Sequence, residues 1–398
     1  MTDIPLYPLY NRTYHLYRLS PLHHGRTPLL DQRALRTHAT RLKSQLKGDN
    51  LRGVEVNAAN TDTTITQYGP LEECNWNLFG DEDAWIDHHQ QLLDPNASQL
   101  SSVPAPEHAR GVQVNLTYEA QTYNALLLRD SVSDPSPEGF TSLPLLLIRM
   151  PAPIRDLFLN YLKTNFDTHV SPLRLPTAFL TSTLESYFRR LTATTSQSIR
   201  DVIQQLHVQL AFPNSTTSLK HVDITIASAD VSGFVSRGKR LRDTRSAPFT
   251  AAMSSYLQKH MAISLSNPKV CISKISCGAF TLSIDRMKLV PPEVLSDASL
   301  SEENDVEVSA SQLAVQDFYS ALVREAGGNS RFLPETLVPE RTSSTPSSIG
   351  SASASRGRRK RAVSTTAANN ANSKRSRARG KENGGSAEHN EDVDMSST

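Results

Sequence analysis

Hydrophobic positions in this chain switch between two spacings, and the switches mark its elements. Tyr14–Leu19 reads as an extended segment that ends at Ser20-Pro21. Asp31 then reads as an N-cap. Leu35, Ala39, Leu42 and Leu46 fall on one helical face, and Gly48 marks the stop. Alternation returns at Val54 and Val56 and again at Cys74, Trp76 and Leu78, which predicts strands with one buried face. Asp81–Leu93 predicts a short helix with acids in its first turn, where the helix dipole favours them. VQVNLTYE and TYNALLLRD predict two strands joined tightly near Ala120-Gln121. Val112, Val114, Leu116 and Tyr118 share one face there, and Tyr123, Ala125 and Leu127 share another.

Helical spacing takes over in the middle. Ile154, Leu157, Phe158, Tyr161 and Leu162 follow Pro153, a favourable first helical residue. Leu180, Leu184, Tyr187, Phe188 and Leu191 repeat the pattern after Pro176. A Pro-rich break at Ser171–Pro176 separates the two helices, so a helical hairpin packed on a sheet is expected. Strands resume at LHVQLAF and HVDITIA, followed by a helix over Pro248–His260 and an extended set, MAISL, KVCISKI and AFTLSIDRMKL. Gly278 marks a turn in that set. Phe280, Leu282 and Ile284 are expected to face the core and Thr281, Ser283 and Asp285 to face outward. A last amphipathic helix is expected over Ser311–Glu325, using Leu313, Val315, Phe318 and Leu322. Short strands on short loops favour antiparallel pairing with helices to one side, an α+β fold. Beyond Gly327 the composition is Ser, Thr, Pro, Ala and Asn, too polar to offset the entropy of ordering, so a disordered tail is expected. The expected division is a globular body over 1–325 and a tail over 326–398.

Charge sharpens this division. From Arg341 onward 11 Lys and Arg face 5 Asp and Glu, which leaves 31 against 35 in the first 340 residues. The basic balance therefore belongs to the tail, and a slightly acidic body argues against a protein that coats nucleic acid with its whole surface while leaving room for a local basic patch. Three cysteines, Cys74, Cys271 and Cys277, suit free thiols in a reducing compartment rather than a disulfide framework or a zinc knuckle. The start of the chain lacks the basic-then-apolar pattern of a signal peptide, and the apolar block Leu143–Ile148 is too short to span a bilayer.

Candidate chemistry is sparse. Phosphate loops, nucleophile elbows and metalloprotease helices are missing from the sequence. The adjacent pairs His23-His24 and His88-His89 point their rings apart and make poor joint ligands. No catalytic residue, metal or cofactor is expected. One basic cluster stands in the body: Arg237, Lys239, Arg240, Arg242 and Arg245 in SRGKRLRDTR, read as a loop that follows a phosphate backbone. In the tail, Arg358, Arg359, Lys360 and Arg361 are followed after twelve residues by Lys374, Arg375, Arg377 and Arg379. That spacing suits a two-part nuclear localisation signal read by an importin.

Three stretches together resemble the fungal members of the centromere protein L family, an inner-kinetochore subunit. They are YNRTYHLYRLSPL (Tyr10–Leu22), LPLLLIRMPAPIRDLFLNYLKTNFDTHVSPLRLP (Leu143–Pro176) and APFTAAMSSYLQKHMAISL…CGAFTLSIDRMKL (Ala247–Leu289). The resemblance covers roughly residues 7–292 and excludes the basic tail. It implies a curved, mostly antiparallel sheet with flanking helices. It also implies pairing with centromere protein N, and a pair that offers centromeric DNA a positive groove. The expected role is a non-enzymatic scaffold in the nucleus, at the centromere and kinetochore; a free-standing nuclear DNA-binding regulator is the alternative. The resemblance places the partner toward the C-terminal sheet. With Lys269–Ile275 and Ala279–Leu289 ending the folded region, a free hairpin edge is expected there, which makes Thr281, Ser283 and Asp285 the partner-interface candidates by strand addition.

Overall fold

Leu126, Leu127 and Leu128 are all buried, and so are Leu145, Leu146 and Leu147. Successive residues of a strand point to opposite faces, so both faces of the sheet are covered here. The computed structural model describes residues 5–51, 69–93, 106, 108–130, 136–193, 203, 205–213, 218–241, 247–291 and 310–328. The chain divides into two units, 1–339 and 340–398, and the described residues all lie in the first.

The strands are β1 (Thr13–Leu19), β2 (Leu22–His23), β3 (Leu71–Phe79), β4 (Gly111–Tyr118), β5 (Thr122–Leu128), β6 (Phe140–Thr141), β7 (Leu145–Arg149), β8 (Val170–Pro172), β9 (Gln205–Ala211), β10 (His221–Ala227), β11 (Cys271–Ser276), β12 (Phe280–Ser283) and β13 (Arg286–Leu289). The helices are α1 (Gln32–Leu51), α2 (Glu82–Leu93), α3 (Ala152–Phe166), α4 (Thr177–Ala193), α5 (Ser228–Arg240), α6 (Pro248–Met261) and α7 (Ala310–Ala326). Eleven strands form one sheet in the order β10-β9-β11-β12-β13-β1-β7-β5-β4-β3, with β8 also paired to β1, and every one of these pairings is antiparallel. The α+β class is therefore correct. Strands β2 and β6 form a separate two-stranded sheet.

Helices cover both faces, not one. Leu35, Ala39, Leu42 and Leu46 of α1 pack with Ile154, Phe158, Tyr161 and Phe166 of α3 around Trp76. The opposite face carries α4, α5, α6 and α7, joined through Phe188, Phe234, Phe249 and Phe318. Each such fully buried side chain contributes about 1.5–3 kcal/mol. The expected α3–α4 hairpin does not exist. Asp167, in the left-handed region at φ 46°, caps α3. The chain then passes beside β1 as β8, which pairs Val170–Pro172 with Tyr17–Leu19, and delivers α4 to the other face.

The C-terminal strands also differ from the expectation. MAISL is no strand: α6 runs to Met261, and Ala262 ends it at φ 54°. AFTLSIDRMKL is split into β12 and β13 by a turn at Ile284-Asp285. The hairpin is internal, because β11 pairs onward with β9 and β13 pairs with β1. Helix α1 continues past Gly48 to Leu51. On α7 the buried face is Ala314, Phe318, Tyr319, Leu322 and Val323, with Leu313 and Val315 only half-buried. Cys74, Cys271 and Cys277 are free thiols, as expected. The strand read at Val54 and Val56 lies outside the described residues.

Candidate partner and nucleic-acid interfaces

An eleven-stranded sheet has two ends, and sequence chemistry sets them apart. At one end β3 presents Glu72, Glu73, Asn75 and Asn77 between its buried positions. Lys43 of α1 donates to the backbone carbonyl of Glu72. Charge and a neighbouring helix blunt this edge against pairing. At the other end β10 pairs with β9 over His221–Ala227, and among the described residues nothing pairs with its outer side. Only Ile226 of β10 is buried; Val222 and Ile224 are half-covered. His207 meets Thr225 at 3.1 Å, and Gln209 donates to Asp223 at 2.9 Å, which pins the register of this last pair.

Exposed apolar side chains are concentrated in the neighbouring stretch of sequence. Leu219 (54%), Leu241 (41%), Tyr256 (43%) and Met261 (44%) are exposed, all within the segment that builds β10, α5 and α6. Elsewhere among the described residues only Leu6 and Phe140 are large, apolar and exposed. An open strand edge is an association surface, and exposed apolar side chains are another mark of one.

Arg237, Lys239 and Arg240 do not lie in a loop: they form the last turn of α5, where the helix dipole favours cations, and all three are exposed. Arg237 stacks its guanidinium 4.5 Å from the Phe234 ring centroid. A Cβ at Gly238 would sit 1.7 Å from the Pro248 carbonyl oxygen, so only glycine lets the end of α5 meet the start of α6. The α6 start is held in turn by Glu185, whose carboxylate accepts from the Thr250 N–H at 2.7 Å; burial pushes this carboxyl above its ordinary pKa. Arg242 and Arg245 lie outside the described residues, as do Arg358, Arg359, Lys360, Arg361, Lys374, Arg375, Arg377 and Arg379.

A larger basic surface is on α1, and the sequence reading missed it. Arg33, Arg36, Thr40, Lys43 and Lys47 follow i, i+3, i+7, i+10 and i+14 on the side away from the core, with Arg41 beside them. The stripe is about 21 Å long at 1.5 Å per residue. Gln32–Lys47 contains no acid, and among the described residues no ion pair involves Arg33, Arg36, Arg41 or Lys47. Thr37, Thr40 and Ser44 return their hydroxyls to carbonyls one turn back, leaving the cations as the outward groups. The signal that would have found the stripe is cation spacing on the face opposite Leu35, Ala39, Leu42 and Leu46.

Thr281 and Ser283 are half-buried and Asp285 is exposed, so they do point away from the core. Their hydrogen bonds are local: Thr281 and Ser276 share one at 2.7 Å, and the Ser283 hydroxyl meets the Asp285 carboxylate and the Arg286 backbone carbonyl and N–H. With β12 paired on both sides, strand addition at this hairpin has no free edge to use. His89 bonds the Trp85 carbonyl at 2.9 Å, and the His88 and His89 rings stand 86° apart. Among the described residues no group of three or more His, Cys, Asp or Glu is placed to hold a metal ion. Likewise no helix there is long and apolar enough to cross a membrane.

The sheet and the helices just described fall almost wholly within one match to a known family. No curated protein matches the sequence. The profile of the family described as Centromere protein L matches residues 8–327, from before β1 to the end of α7. The chain therefore belongs to the centromere protein L family, which makes it a protein of the centromere and kinetochore.

Proposed function

We propose that this protein is a non-catalytic scaffold subunit of the inner kinetochore. It pairs with a centromere protein N-like subunit along β10, and the pair holds centromeric DNA through exposed cations. The observation that carries the reading is the open edge of β10, in the stretch of chain that also exposes Leu219, Leu241, Tyr256 and Met261. A partner strand added there would satisfy the outward backbone groups and cover those side chains. Arg33, Arg36, Arg41 and Lys47 of α1 are the leading candidates for phosphate contact, with Arg237, Lys239 and Arg240 as a second group. The tail cations from Arg358 to Arg379 serve as an address read by an importin in this proposal.

Backbone geometry supplies the test. Neighbouring N–H groups in a strand point to opposite edges, so Ile224→Pro and Thr225→Pro differ in which edge loses its donor. One variant loses a bond to β9 and melts earlier. The other keeps its fold and loses co-purification with the centromere protein N-like subunit. A surface pair, Leu219→Glu with Met261→Glu, leaves the core untouched and has the same effect on pairing. Full partner binding by the folded proline variant and by the glutamate pair would refute the reading. Tight, sequence-selective DNA binding by the chain alone would favour a free-standing regulator instead.

A further inference from the structure

A cavity of about 310 Å³ opens between α4 and α7, over the strands β12 and β13. Its walls are mostly apolar: Phe280, Leu289, Val315 and Phe318 line it, with Phe280 and Phe318 stacked at 6.2 Å. The two helices are linked at the surface by Arg190, which bonds Asp317 at 2.6 Å. A pocket of this size and character is ordinary for ligand binding.

Polar side chains also line it: Arg189 and Arg324 are exposed, Ser182, Ser186 and Asp317 are half-buried, and Thr183, Tyr187 and Glu325 are buried. Tyr187 is 4% exposed and Glu325 is 7% exposed, and both line the cavity. The hydroxyl of Tyr187 and Oε2 of Glu325 are buried without a hydrogen-bond partner. Neither Arg18 nor Arg324 donates to Oε2. Arg18 donates to the Glu325 backbone carbonyl at 2.8 Å, and Arg324 pairs with Asp130 at 4.0 Å. Burial also pushes the Tyr187 phenol above its ordinary pKa, so it remains a neutral O–H. A buried carboxylate oxygen without a partner is costly, and the partner that best relieves it is a cation with N–H donors.

We propose that the α4–α7 cavity is a docking pocket for a lysine or arginine side chain carried on an apolar peptide segment of a partner protein. The apolar stem and neighbouring residues of the segment pack on Phe280, Leu289, Val315 and Phe318. The ammonium or guanidinium group reaches Glu325, and the Tyr187 hydroxyl supplies a second polar contact. This pocket is separate from the β10 edge, and the proposal stands or falls without the pairing described above.

The test uses the full chain and fluorescein-labelled heptapeptides of one apolar frame, ALVXLFA, with X as lysine, arginine, norleucine or glutamate. Hexylammonium serves as a competing free amine. Binding is read by fluorescence anisotropy on the unmodified protein and on Glu325→Gln and Tyr187→Phe. The lysine and arginine peptides should bind about ten- to hundred-fold more tightly than the norleucine peptide, the span expected for one charge-assisted hydrogen bond. Glu325→Gln should abolish that preference while leaving the norleucine peptide unchanged, and Tyr187→Phe should weaken it partly. Without peptide, Glu325→Gln should melt no earlier than the unmodified protein, because Oε2 accepts no hydrogen bond there. Equal binding of norleucine and lysine overturns the proposal, as does binding of no peptide below about 1 mM. Hexylammonium binding as tightly as the peptide assigns the pocket to a free amine and overturns the peptide occupant. A Glu325→Gln protein that melts earlier makes the carboxylate a structural group and also overturns it.

Discussion

Removing four exposed cations of α1 that form no ion pair among the described residues measures whether that helix meets DNA. The variant is Arg33→Gln, Arg36→Gln, Arg41→Gln and Lys47→Gln. Glutamine is close to arginine and lysine in helix propensity, and Leu35, Ala39, Leu42 and Leu46 keep their burial, so α1 should survive. Each phosphate contact contributes about 0.9 to the slope of log affinity against log salt. Four contacts contribute about 3.6, so raising salt fourfold, from 50 to 200 mM, costs the unmodified complex about 150-fold more affinity than the variant. The assay is a salt titration of DNA binding by the complex with its partner subunit, with partner binding measured separately as a control. A parallel variant, Arg237→Gln, Lys239→Gln and Arg240→Gln, has an expected slope change of about 2.7 if the α5 turn is the contact instead. Helix α1 packs at the β3 end of the sheet and α5 at the β10 end, up to about 40 Å apart along it at 4.8 Å per strand. Each surface is thus tested by itself. An unchanged slope in the α1 variant, with DNA binding otherwise intact, refutes the assignment of α1.

Other expectations follow from single residues. Gly238→Ala forces the α5–α6 junction apart and should cost about 1–3 kcal/mol. Gly233→Ala, whose Cβ would meet only the Arg237 side chain at 4.0 Å, should stabilise α5 by up to about 1 kcal/mol; urea midpoints separate the two. His38 sits against Tyr161, and burial, with Arg41 adding to it, lowers its pKa from 6.5 to about 4. Between those values the unfolded imidazole holds a proton that the folded one does not, so stability falls as pH drops from 6.5 toward 4. Allowing for its half-exposed ring the fall is about 1 kcal/mol, and His38→Gln should flatten it in pH-dependent melts. Ser283→Pro should lower the urea midpoint of the whole body, because β12 is an inner strand; a variant that keeps full stability would contradict the sheet order. Residues Arg356–Lys381 fused to a cytosolic reporter should concentrate it in nuclei, and replacing both basic groups with alanine should disperse it.

Much of the element order is legible in the residues because amphipathic spacing is a local signal. The apolar faces of α1, α4 and β9 can be read directly from Leu35–Leu46, Leu180–Leu191 and Leu206–Leu210. What spacing does not encode is which side of a sheet a helix lands on. α3 and α4 have equally good apolar stripes, yet β8 carries the chain between faces and puts them on opposite sides. Edge status is equally nonlocal. The last hairpin in sequence is central in space because Thr13–His15 return to pair with Arg286–Lys288. The site divides along the same line. Cation clustering makes Arg237, Lys239 and Arg240 visible, but their helical state rests on Val231, Phe234 and Val235 being buried, which a view of the basic cluster alone ignores. The α1 stripe is as local as the apolar face that defines its helix, since both follow from the spacing of residues 32–47. The β10 edge and the Glu325 cavity exist only in the assembled sheet.

The position of β1 has a consequence for how the protein is made. This single N-terminal strand pairs with β7 on one side and with β8 and β13 on the other. On a ribosome, β1 emerges first, but its β13 partner is roughly 270 residues behind, about 14–54 seconds at 5–20 residues per second. During that interval the β3, β4, β5, β7 and β1 half of the sheet is able to form, and its growing edge is β1 itself. Tyr14 and Leu16, fully covered in the finished protein, then lack their later neighbours. The nascent chain therefore spends its synthesis with an adhesive strand exposed. The step that seals it is the docking of β13, so a truncation just before Arg286 should yield an aggregating product rather than a smaller folded one.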